Sequence, residues 1–73
     1  MTKVYYTYVL ECSPSMKLYS SLFTCAKALR RKLLAVSKAN PDRRLYVPSL
    51  GELMSNPANA CEDSYIDTMK VVK

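Results

Sequence analysis

Fifteen consecutive residues, Cys25 to Ala39, contain no Gly and no Pro and are built mostly from Ala, Leu, Lys and Arg. These side chains lose little freedom on entering a helix. At about 100° per residue, Cys25, Ala26, Leu29, Leu33 and Val36 gather on one side. Lys27, Arg30, Arg31 and Lys38 gather on the other, with Leu34 among them. Thr24 is read as the N-cap. Asn40-Pro41 ends the run, because a residue before Pro disfavours the helical region. The spacing predicts one main helix, about 24–40.

The flanking segments read as strands. Lys3 to Cys12 is rich in Val, Tyr and Thr, which suit a pleated surface. Alternation puts Val4, Tyr6, Tyr8, Leu10 and Cys12 on the core face and Tyr5, Thr7, Val9 and Glu11 on the other. Ser13-Pro14-Ser15 is a turn signal, and Lys17 to Phe23 is expected to return as the second strand of a hairpin. Leu45 to Val47 is short and extended. Ser49 and Glu52 match a capping box ahead of a short helix near 50–55. Ser64 to Val72 is the last strand; Asp67 shares a face with Tyr65 and Met69, which suggests an edge strand. The fold class expected is α+β: a small two-layer ββαβ domain, its three-stranded, mostly antiparallel sheet carrying the main helix on one face. The 73 residues form one domain, 1–73, with room for one thin core.

Several kinds of chemistry lack their residues. The chain has no His, so an imidazole base or ligand is absent. Its three cysteines, Cys12, Cys25 and Cys61, form no C-x-x-C pair, and a zinc site would need a further ligand from an acid or a second chain. They are expected to be reduced, mostly buried thiols. Gly51 is the only glycine, which argues against a phosphate-binding loop. Glu62 and Asp63 are adjacent acids in a loop, read as solvated charges. The reading is a non-enzyme with no cofactor and no metal. No run approaches the roughly 20 apolar residues of a membrane span, and no leader pattern opens the chain. A soluble cytoplasmic protein with no membrane partner is expected.

Charge is the informative feature. Thr24 to Arg44 holds seven basic residues and one acid, a net +6, while the remainder carries −1. Such asymmetry points to an acidic partner. The simpler account is a solvated helix face, yet that face has almost no acids for i,i+4 pairing, and Leu34 sits among its cations. Arg30-Arg31 and Arg43-Arg44 bracket the helix and are expected to share one surface. Six tyrosines are the second feature. Tyr6 and Tyr8 belong to the core face; Tyr5 is the candidate for an exposed contact. The partner-binding residues expected are therefore Lys27, Arg30, Arg31, Leu34, Lys38, Arg43, Arg44 and Tyr5.

Lys3-Val4-Tyr5-Tyr6, Leu22-Phe23-Thr24 with Ala26 and Ala28, and Tyr65-Ile66-Asp67 together resemble the layout of small phage and mobile-element accessory proteins. These open with a Lys-Val-Tyr strand, add a strand ending in an apolar-Phe-Thr step, enter an Ala-rich helix and close with a strand. The segment from Arg44 to Asp63 departs from that layout, and no site residues carry over. The resemblance implies host takeover, or inhibition of a host enzyme or defence system by binding, in the host cytoplasm. The first expectation is thus a non-catalytic binder, an inhibitor or modulator of a host protein or nucleoprotein complex, docking by its basic helix face. Two others stay open: direct binding of nucleic acid by the same cations, and a homo-oligomer, such as a homodimer, favoured by the small core and open sheet edge.

Overall fold

The computed structural model describes residues 2–61 and 63–72. Its elements are β1 (Thr2–Leu10), β2 (Ser13–Pro14), α1 (Leu22–Ala39), α2 (Leu50–Ser55) and β3 (Tyr65–Val72). The sheet is antiparallel throughout, in the order β2-β1-β3. The chain is a small α+β fold, as its patterning predicts.

β1 and β3 pair along their length, from Thr2 opposite Val72 to Val9 opposite Tyr65. The even residues of β1 face the helices: Tyr8 is buried, and Tyr6 and Leu10 pack beside it. Toward its start β1 outruns the helical layer, and Val4 is 40% exposed. The other end differs from the sequence reading. The reversal is at Glu11-Cys12, with φ of 49° and 67°, and Leu10 pairs with Ser13. Two left-handed residues in a two-residue loop make a type I′ turn, whose twist matches that of the strands it joins. Cys12 is therefore exposed rather than part of the core face. Pro14 lies in β2 instead of the turn, which an edge strand tolerates because Pro lacks only an N–H.

The predicted second strand, Lys17 to Phe23, is corrected. Met16 takes a φ of 62°, and the chain bulges away before Tyr19 returns to β1. Tyr6 and Tyr19 then exchange two N–H to carbonyl bonds of 2.7 Å. Leu22 and Phe23 already belong to α1. Ser21, not Thr24, is the N-cap: its hydroxyl accepts the Thr24 N–H at 3.4 Å. At the other end the Asn40 N–H donates to the Val36 carbonyl at 3.1 Å.

The core is Tyr8, Cys25, Ala26, Leu29, Leu33, Leu53 and Ile66. Leu29 and Leu33 lie on the stripe of α1 that meets the sheet, and Leu53 of α2 closes one end. Complete burial of each Leu contributes about 1.5–3 kcal/mol. α2 has the predicted start, with the Ser49 hydroxyl accepting the Glu52 N–H at 3.2 Å. The Glu52 side chain does not complete the capping box; its Oε2 accepts the Tyr46 hydroxyl at 2.5 Å.

Candidate interaction surface

The side of α1 turned from the core is cationic and partly apolar. α1 contains no Asp or Glu. Phe23, Lys27, Arg30, Arg31, Leu34 and Lys38 fall within about 100° of arc. Phe23 is 46% exposed and Leu34 37%. Lys27 Nζ stands over the Phe23 ring, 5.3 Å from its centroid. Lys27 and Arg31 are i,i+4 neighbours of like charge, and Lys27 and Arg30 are i,i+3 neighbours. Such pairs destabilise a helix by a few tenths of a kcal/mol each. The face therefore stores mild self-repulsion that anionic groups would relieve.

α2 turns this face into a groove. Leu50 stands beside Leu34 and Ala35, and with Lys27, Arg30, Arg31 and Lys38 they line an open space of about 560 Å³. Its lining joins three aliphatic side chains to four cations, and no acid lines it among the described residues. Five of the sequence-predicted site residues meet here. Phe23, Ala35 and Leu50 were outside that prediction. Phe23 had a signal, since it lies four residues before Lys27, but its apolar neighbours read as strand.

The other three predicted residues lie elsewhere. Arg43 and Arg44 line a second groove of about 720 Å³ with Glu11, Tyr46, Cys61 and Asp63. Arg43 Nη2 is ion-paired with Glu11 Oε1. That cation ties the β1–β2 turn to the segment after α1, in a groove that none of Lys27, Arg30, Arg31, Leu34 and Lys38 lines. The acids of this groove offset its arginines. Tyr5 is half-buried on the opposite side of the sheet from α1, in the row it shares with Met69.

Cys25 and Cys61 are poor nucleophiles. Burial pushes the Cys25 thiol up to about 11. Cys61 is raised by burial first, then by the charges of Glu52 and Asp63, and its thiol donates to the Tyr46 carbonyl at 3.6 Å. A raised thiol holds little thiolate at neutral pH. Tyr46 is raised by its hydrogen bond to Glu52. Only Cys25 is fully buried, which corrects the expectation of mostly buried thiols. Among the described residues, no group of three or more His, Cys, Asp or Glu is placed to hold a metal ion. No helix among the described residues is long and apolar enough to cross a membrane. No protein-family model matches the chain, and no curated protein or solved structure matches it either.

Proposed function

We propose that this protein is a non-catalytic binding module that docks the outer face of α1 on an acidic protein surface. The observation that carries the reading is one groove whose described lining joins the aliphatic Leu34, Ala35 and Leu50 to the cations Lys27, Arg30, Arg31 and Lys38 with no acid among them. An aliphatic lining suits a buried anchor side chain, and the cations suit carboxylates and speed encounter. Phosphates alone would leave Leu34, Leu50 and Phe23 without a role, so a protein partner is favoured over nucleic acid. In this reading the module inhibits or modulates a host protein or nucleoprotein complex, the role implied by the resemblance to phage accessory proteins.

The test is charge reversal. Arg30→Glu with Arg31→Glu places two acids on an exposed face, so the helical circular dichroism is expected to persist. Binding to an acidic protein partner is expected to weaken at least about a hundredfold, since like charges across an interface cost several kcal/mol. A folded double variant that binds as tightly as the parent contradicts the proposal.

A further inference from the structure

We infer that the open face of the sheet is a self-association surface, on which a second copy packs face to face with the Tyr5–Met69 row on the two-fold axis.

The β1–β3 ladder puts four residue pairs on this face: Val9 with Tyr65, Thr7 with Asp67, Tyr5 with Met69, and Lys3 with Val71. Five of these eight side chains are apolar or aromatic. None of the five is among the residues packed on the core, whose β1 members are Tyr6, Tyr8 and Leu10. Both helices lie on the other side. Met69, opposite Tyr5 and between Asp67 and Val71 on its strand, is 44% exposed, and the other four are half-buried.

The whole molecule carries a matching excess of surface. A compact monomer of 8.3 kDa exposes about 4,600 Å². This chain exposes 5174 Å², an excess of about 600 Å² against the roughly 800 Å² per partner of a standard interface. Its extents of 47 × 22 × 17 Å describe an elongated body, a shape with more surface than a sphere of the same mass.

Charge selects the second copy as the occupant. Among the described residues of β1 and β3, the open face carries one cation, Lys3, and one anion, Asp67, a charge pair that a second copy can answer. They lie one row to either side of the Tyr5–Met69 row. A two-fold axis through that row, across the strands, exchanges the flanking rows. Asp67 then falls in the same row as Lys3 of the partner subunit, one strand apart and within reach of a Lys side chain, and the pair occurs twice. Sheets stacked this way lie about 10 Å apart with strands crossing at about 30°. The α1 faces, each strongly cationic, end on the two outer sides, where their repulsion is screened. This arrangement also gives Tyr5 its contact, on a surface separate from the α1 groove.

The test is the mass of the full chain by light scattering and sedimentation across a concentration series, with far-UV circular dichroism as a folding control. The parent is expected to pass from monomer to dimer. Asp67→Lys and Lys3→Asp each place like charges together, at exposed positions that the fold tolerates, and each is expected to weaken dimerisation at least about tenfold. The double variant Lys3→Asp with Asp67→Lys restores it, and Met69→Glu abolishes it. Arg30→Glu with Arg31→Glu leaves the dimer intact, so this surface and the α1 reading fail separately. A parent that stays monomeric at hundreds of micromolar overturns the inference, as does a dimer indifferent to Asp67→Lys and Met69→Glu.

Discussion

Lys27 Nζ lies 5.3 Å from the centroid of the Phe23 ring, one helical turn before it. The contact joins the first apolar residue of the outer stripe of α1 to its first cation. Exposed cation–π contacts contribute about 0.5–1 kcal/mol, so Phe23→Ala is expected to change folding stability by no more than about 1 kcal/mol. Its larger effect is expected in binding, because the ring is an apolar contact beside the groove. Urea unfolding and partner titration of the same variant separate the two. A large stability loss with unchanged binding contradicts this placement.

The two candidate caps of α1 can be told apart. Ser21 accepts from the N–H of Thr24, while Thr24 is exposed and already inside the helix. Ser21→Ala is expected to cost about 1 kcal/mol. Thr24→Ala removes no cap and is expected to be near neutral. The comparison is made from urea midpoints at constant slope.

Cys12 holds a left-handed conformation at the second position of a type I′ turn, which usually takes Gly. An L-residue there costs about 1–2 kcal/mol, partly offset for Gly by about 0.5–1 kcal/mol of chain entropy. Cys12→Gly is therefore expected to stabilise the fold by up to about 1 kcal/mol. Cys12→Val, which is β-branched, is expected to destabilise it. Opposite signs in thermal unfolding support the turn assignment, and a destabilised Gly variant contradicts it.

The buried Cys25 thiol gives stability a dependence on pH. Its ordinary value near 9.0 is pushed up to about 11 in the folded chain. Between those values the unfolded chain releases a proton that the folded chain keeps, so stability falls as pH rises. Tyr8 and Cys61 are raised as well and act in the same direction. Cys25→Ala is expected to flatten part of the decline. Urea unfolding of parent and variant across this range checks it, and identical slopes would count against burial as the cause.

Local patterns made the elements legible, and long-range contacts set what they missed. The buried stripe of α1 follows from its period, and Ser49 marks α2 at the right residue. The cationic stripe around Leu34 follows from the same period. The start of α1 was obscured because Leu22-Phe23 suits a strand as well as a first helical turn, and Ser21 competes with Thr24 as a cap. The second strand shrank because the left-handed turn at Met16 breaks its ladder, and Met carries no turn signal. Arg43 could not be separated from Arg30 and Arg31 by sequence, since its partner Glu11 is 32 positions away. Leu50 entered the groove only through the packing of α2 beside α1.

The α1 face is proposed to bind carboxylates and an apolar anchor together. Fluorescence anisotropy tests it with a labelled amphipathic peptide carrying Glu on one face and Leu on the other. The same peptide with Gln for Glu, the same peptide with Ala for Leu, and single-stranded oligo(dT) serve as comparisons. The Glu/Leu peptide is expected to bind best, with both substitutions in the peptide weakening it and Leu34→Ala weakening it in the protein. Preference for oligo(dT), with affinity falling steeply in salt as phosphate contacts require and no response to Leu34→Ala, would contradict the proposal.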